Sequence, residues 1–196
     1  MKFIIATNNK DKVREIKTIL EGHEVISQSE AGISIEAEEN GTSFAQNALI
    51  KARSISELAD CAIIADDSGI EVDYLGGAPG IYSARFAGEG CTPADCNAKM
   101  LRELRGVPFE KRPARYVCCM ALILPDGSEH TFYGTCEGYI IDEERGTNGF
   151  GYDPMFYVPD IDMTFGQADS EVKHKMSHRY FALKKLADFV EKYIEE

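Results

Sequence analysis

Apolar positions recur along this chain with two different periods, and the changes from one to the other set out its elements. Lys2 to Ala6 is a short apolar run of strand type, and the polar stretch Thr7 to Lys12 leads into Val13, Ile16, Ile19 and Leu20 at helical spacing. His23 to Ser27 reads as a second strand. After the acidic segment Glu36 to Gly41, Phe44, Ala45, Ala48, Leu49, Ala52 and Ile55 mark one side of a helix, which Thr42 or Ser43 can cap. Cys61 to Ala65 is a continuous apolar run that ends in Asp66-Asp67-Ser68-Gly69, the way a central strand delivers polar groups to the carboxyl edge of a sheet. Gly76 to Gly80 is turn-rich, and Thr92-Pro93-Ala94-Asp95 carries a cap, a proline at the first helical position and an acid three residues on, opening a helix to about Arg105. Arg115 to Leu124 and Glu129 to Ile141 are strand-like around an Asp126-Gly127 hairpin signal, Gly146 to Pro154 is a glycine-rich loop, and Ala182, Leu186, Phe189, Val190 and Tyr193 lie on a closing helix.

The pattern alternates strands and helices without a repeat or linker, so a single domain over 1–196 of α/β class is expected. A hydrophobic fraction of 44%, with ten Phe and nine Tyr, is enough to bury a core. The formal charge of −12 opposes any broad grip on a nucleic-acid backbone, but a few placed cations or a carboxylate-bound metal can still invert the field for a small phosphorylated ligand. The six cysteines form neither a C-x-x-C metal pair nor a disulfide framework, which suggests a reducing, cytoplasmic setting. The N-terminal apolar run is far shorter than a signal sequence or the roughly 20 residues of a membrane span.

Five places can carry chemistry. Thr7-Asn8-Asn9-Lys10-Asp11-Lys12 lies between strand and helix, where free backbone N–H groups, the helix dipole and two lysines favour an anion, although no Walker motif is present. Asp66 and Asp67 close an apolar strand, and carboxylates so near one another repel unless one is paired, protonated or bound to a cation such as magnesium; the alternative is that one of them merely caps a turn around Gly69. Glu36, Glu38 and Glu39 are either a solvated face or, beside the Asp67 strand, further oxygen ligands. Phe150-Gly151-Tyr152-Asp153-Pro154 sets aromatics among glycines in a form suited to stacking on a base or to a buried turn, and Lys173, Lys175, His178 and Arg179 gather cations before the last helix.

These residues fall into recognisable strings: T-x-N-x-x-K at Thr7, Asn9 and Lys12, E-N-G at Glu39, A-D-D-S-G-I at Ala65 to Ile70, G-G-A-P-G-I-Y-S-A-R at Gly76 to Arg85, G-F-G-Y-D-P at Gly149 to Pro154 and S-H-R at Ser177 to Arg179. In this order, over nearly the whole chain, they resemble the inosine/xanthosine triphosphate pyrophosphatases of the RdgB type. The resemblance implies an elongated mixed central sheet flanked by helices in two lobes with a nucleotide cleft between them, a homodimer, and hydrolysis of ITP, dITP and XTP to the monophosphate and pyrophosphate with Mg2+. It implies that Asp67 is the general base, that Glu39 and Asp67 hold the metal with Asp66 assisting, and that Thr7, Asn8, Asn9, Lys10, Asp11, Lys12 and Lys173 hold phosphates. Base and sugar fall to Ser68, Phe150, Gly151, Tyr152, Asp153, His178 and Arg179. Two features stand out: Asn148 occupies a place where the family more often has glycine, which Asn tolerates at positive φ, and Glu38 adjoins Glu39 as a rival ligand. The alternatives are a pyrophosphatase for other modified or pyrimidine triphosphates and a nucleotide-binding module without turnover.

Overall fold

The computed structural model describes residues 1–195, apart from the side chain of Asp11. Eight strands are joined in one sheet of order β2-β1-β3-β5-β6-β7-β8, with β4 paired to β3. β1 (Lys2–Ile5) runs parallel to β2 (Glu24–Ser27) and to β3 (Ala62–Val72), in the register Ile5↔Ser27 and Ile5↔Ile64. β4 (Pro79–Gly80) is antiparallel to β3, and β7 (Phe156–Val158) is antiparallel to β6 (Glu129–Ile140) and to β8 (Met163–Thr164). The mixed α/β sheet with flanking helices is the class that the alternating pattern predicts.

The chain divides into two compact units, and β3, β5 (Pro113–Ile123) and β6 each contribute residues to both. The first unit holds 1–67, 118–134 and the chain from Arg179 onward. Its core is sorted by the two-residue period of the strands. Ala62 and Ile64 of β3 join Cys118, Met120 and Leu122 of β5 in one cluster, with Ile16 of α1 (Lys10–Ile19) and Ala182, Leu183, Leu186 and Val190 of α5 (His178–Glu195). Ile63 and Ala65 join Ala121 and Ile123 in another, covered by Ala48, Ala52 and Ile55 of α2 (Phe44–Ser56). Ser43 caps α2 by accepting from the Gln46 amide, so of the two candidate caps Ser43 is the one used.

The second unit holds 68–117 and 135–178. Ile70, Val72, Met100, Leu104, Tyr116, Ile140, Phe156 and Phe165 are among its buried residues. α3 (Pro93–Glu103) opens with the expected capping box, in which Thr92 Oγ1 accepts from the Asp95 amide and Asp95 accepts from the Thr92 amide.

Three expectations are corrected. β3 does not end at Asp66-Asp67 but continues to Val72, because Ile70 and Glu71 find a new partner in β4 and the Ile70 amide donates to Ser83 Oγ at 2.8 Å. The pre-helical cations are themselves helical: Lys173 and Lys175 lie on α4 (Ser170–Met176), and His178 and Arg179 begin α5. Asn148 is not among the positive-φ residues; the left-handed turns fall on Gly146, Gly149 and Gly151, and Asn148 Nδ2 donates to the Ala168 carbonyl at 3.2 Å.

No helix among the described residues is long and apolar enough to cross a membrane. Leu186 is fully buried against β5 and α1. Leu186→Ala is expected to lower stability by about 2–5 kcal/mol through lost transfer energy and the residual void, read as the shift of the urea-unfolding midpoint.

Candidate active site

β1 stops at Ile5, opposite Ile64, so the next residues of β3 project past the carboxyl edge of the parallel part of the sheet. Asp66 and Asp67 stand there, mid-strand, and the pleat turns them to opposite faces. The mutual repulsion expected of adjacent carboxylates is thereby relieved by geometry, and each is paired directly with a different lysine, Asp66 with Lys12 and Asp67 with Lys51.

Asp66 follows Ala62 and Ile64 onto the α1/α5 face. Lys12 Nζ, from the first turns of α1, is 2.9 Å from each of its oxygens. Arg179 Nε is 3.5 Å from Oδ2, and Arg179 Nη1 donates to Glu15 at 3.2 Å. Burial alone would raise the Asp66 pKa, but Lys12, Arg179 and Lys51 hold the carboxyl well below its usual range. Arg179 is pushed up for the reciprocal reason: Asp66 and Glu15 outweigh the desolvation that would lower it.

Asp67 follows Ile63 and Ala65 onto the α2 face. Lys51 Nζ is 3.1 Å from Asp67 Oδ1 and 3.1 Å from Glu39 Oε2, so the two carboxylates converge on one ammonium. Asn47 Nδ2 donates to Asp67 Oδ2 at 3.2 Å. Burial pushes the Asp67 pKa up, Lys51 and Asn47 pull it down, Glu39 adds to the rise, and the net shift is upward. Lys51 stays above the normal lysine range, since Asp67, Asp66 and Glu39 overcome its own desolvation. Of the rival acids, Glu39 is the one that reaches this group.

The loop before α1 is locally ordered: Thr7 Oγ1 accepts from the Asn9 amide, and Asn9 Oδ1 accepts from the Lys12 amide. Asn8 and Lys10 line a groove with Arg14, Lys17, Ser29 and Glu30, while Lys12 meets Asp66. The role expected of Asp11 rests on a side chain outside the described residues.

In the second unit, Asp153 is buried and saturated. It accepts from Tyr116 Oη at 3.1 Å and from the Phe150 amide at 2.7 Å, and it forms a short ion pair with Lys173. A Cβ on Gly149 would lie 2.0 Å from Asp153 Oδ2, and the residue has φ +74°, so glycine is required there. Phe150 is 69% exposed, with Lys173 Nζ 4.6 Å from its ring centre. His178 stacks on Tyr116 at 4.9 Å and 13°, Tyr152 donates to the Ser83 carbonyl, and Ser68 is half-buried on β3.

Lys51, Asn47, Glu15 and Tyr116 were missed by sequence reasoning. Asn47 and Lys51 had a readable signal, since both interrupt the apolar stripe of α2 four residues apart. Tyr116 and Glu15 had none.

The sequence profile of the Ham1 family matches residues 3–189. A "dITP/XTP pyrophosphatase" of Bacillus licheniformis is 51% identical over 186 residues, 94% of this chain and 95% of that one. One of Thermoanaerobacter pseudethanolicus is 46% identical over 198 residues and the full length of both. Among solved structures, the Ham1 protein of Staphylococcus aureus superposes with a TM-score of 0.92 at 40% identity, covering 98% of this chain and 100% of that one.

Asp66→Asn would leave Arg179 and Lys12 without their buried counter-charge. Breaking a buried pair from one side is expected to destabilise by about 3 kcal/mol, measured as the loss in unfolding free energy in urea, while Glu39→Gln at an exposed position changes it by under about 1 kcal/mol.

Proposed function

The chain belongs to the Ham1 family, and we propose that it hydrolyses ITP, dITP and XTP to the nucleoside monophosphate and pyrophosphate, with Asp67 as general base and Mg2+ as cofactor. The observation that carries the chemistry is the convergence of Glu39 and Asp67 on one cation, 3.1 Å from each.

An all-oxygen pair of carboxylates suits a hard dication. Among the described residues no group of three or more His, Cys, Asp or Glu is arranged to hold a metal unaided. Two carboxylates completed by substrate phosphates and water is, however, the usual composition of a magnesium site, and Glu39 with Asp67 fits it. The bound dication would offset negative charge developing on the polyphosphate oxygens.

The residues of the chain do the rest. Asp67, largely buried at the sheet edge with Lys51 and Asn47 holding its carboxylate, is placed to take a proton from an attacking water. Lys12, fixed on Asp66, offers a pre-oriented ammonium at the start of α1, where the helix dipole also favours an anion. Lys51 is the second such cation. Electrostatic stabilisation of this kind needs no rearrangement during reaction. Thr7 to Asn9 would add backbone and side-chain donors for phosphate.

Within the second unit, the exposed Phe150 ring offers a stacking face, with Lys173, Gly151 and Asp153 beside it. We assign base and sugar to Phe150, Gly151 and Asp153 with Ser68, Tyr152 and His178, and phosphate to Lys173. Donors facing O6 of the base would oppose the 6-amino group of adenine, leaving donor against donor. Arg179 donates Nη1 to Glu15 and ion-pairs with Asp66 through Nε, and we assign it to base and sugar alongside that pairing. A homodimer is proposed on the strength of the resemblance alone, and a cytoplasmic setting on the cysteine pattern.

Incubation of the purified chain with ITP, dITP, XTP and the common triphosphates should release pyrophosphate, not phosphate, from the deaminated purines, and EDTA should abolish it. Release of orthophosphate, or turnover undiminished by EDTA, would overturn this reading. Asp67→Asn is expected to keep a cooperative melt and lose at least about a thousandfold in kcat if the base and a metal ligand are removed together. Lys12→Ala should raise KM and lower kcat, since phosphate contacts act in both ground and transition states.

A further inference from the structure

α2 turns one face toward Asp67, and two of its side chains reach the carboxylate: Lys51 and, one turn earlier, Asn47. They differ in kind. Lys51 supplies charge at the end of a flexible stem, whereas Asn47 supplies direction without charge. Asn47 is 1% exposed, and both ends of its carboxamide are used. Nδ2 donates to Asp67 Oδ2 at 3.2 Å, and Oδ1 accepts from the Gly41 amide at 2.8 Å. Gly41 ends the Glu39-Asn40-Gly41 string, so one short side chain touches Asp67 directly and the backbone two residues beyond Glu39.

The approach is tight. A Cβ at Gly41 would lie 2.6 Å from Asn47 Oδ1 and 2.8 Å from Gln46 Cβ, so the loop passes α2 at a distance only glycine permits. Gln46 makes a separate link to the same loop, accepting from the Thr42 amide at 2.7 Å and from Thr42 Oγ1 at 2.9 Å, and it does not touch Asp67.

We propose that Asn47 is a positioning residue that sets the spacing of the Asp67 and Glu39 carboxylates for a shared dication, by holding one through its amide nitrogen and the loop of the other through its amide oxygen. The proposal rests on the function assigned above. Its chemistry is particular to Asn: aspartate lacks the donor and brings a like charge, and glutamine is one methylene too long for both contacts at once. A neutral amide also keeps its role when a dication arrives, whereas the ammonium of Lys51 then shares its carboxylates with a stronger charge. Polar groups that orient metal ligands commonly change metal affinity or activity by about 10–100-fold when removed.

The test compares Asn47→Leu, which deletes both hydrogen bonds at similar volume, Asn47→Asp, which keeps the acceptor for Gly41, and Gln46→Ala, which loosens the loop without reaching Asp67. Each is measured for melting temperature, for kcat and KM with ITP and magnesium, and for manganese(II) binding from the loss of its free electron-paramagnetic signal. Both Asn47 variants are expected to lose about 10–100-fold in kcat and about tenfold in manganese affinity, with a smaller change in KM, while Gln46→Ala stays within about threefold on all. Should Asn47→Leu fail to fold, Asn47→Asp carries the comparison. Wild-type kcat and manganese affinity in a folded Asn47 variant overturn the proposal, and so does an equal loss in Gln46→Ala, which would reduce the effect to loop packing. Dication-independent turnover by the wild-type chain would instead defeat the function on which the proposal rests.

Discussion

The pleat of β3 decides the electrostatics around Asp66 and Asp67. Side chains on a strand alternate between faces, so Asp66 inherits the side of Ala62 and Ile64, and Asp67 that of Ile63 and Ala65. A one-residue slip of register would exchange them, bringing the cationic pair Lys12 and Arg179 to the wrong carboxylate and Glu39 to the other. The apolar residues before the aspartates prevent that slip, because it would also turn Ile63 and Ile64 to the wrong helices. The same hydrophobic contacts that stabilise the first unit therefore fix which acid is paired for good and which is left adjustable.

The two environments diverge in consequence. Asp66 is buried beside Lys12 and Arg179, cations that hold it ionised. Asp67 has fewer fixed cationic partners, a repelling neighbour in Glu39 and a pKa that is raised. Adjacent residues of one type are thus shifted in opposite directions by environment alone, the general route by which carboxyl groups of one site can divide acid–base work.

Most elements were legible in the sequence because their apolar periods are long and clean: α2, α3 and α5 lie where the spacing puts them, and the Thr92 box and Asp126-Gly127 turn behave as their chemistry dictates. The failures have physical reasons. Gly69 reads locally as a strand breaker, yet the distant β4 supplies a partner that carries β3 through it. α4 is polar with no buried residue, so no apolar stripe announces it. The aspartates and Lys12 are conspicuous as ionisable groups at an apolar strand and a helix start, whereas Glu39 is singled out from Glu36 and Glu38 by the family resemblance alone. Lys51 and Asn47 break the apolar stripe of α2, which marks them without saying which carboxylate they meet, and Tyr116 is an ordinary strand aromatic, since its importance lies in what it touches across the fold.

The pairing pattern also bears on how an acidic chain would attract a polyphosphate. On the Asp66 and Asp67 faces, three cations, Lys12, Lys51 and Arg179, are matched against four carboxylates, Glu15, Glu39, Asp66 and Asp67. With all ionised the cluster carries a net negative charge, and by itself it would repel a triphosphate. Adding one dication between Glu39 and Asp67 reverses the sign, and in a partly buried, low-dielectric setting that reversal counts for far more than the formal charge of −12 spread over the surface. The metal in the proposed reaction would then act as the condition for substrate to enter as well as an aid to the chemistry, and a free triphosphate without it would be turned away by the same carboxylates that hold the complex.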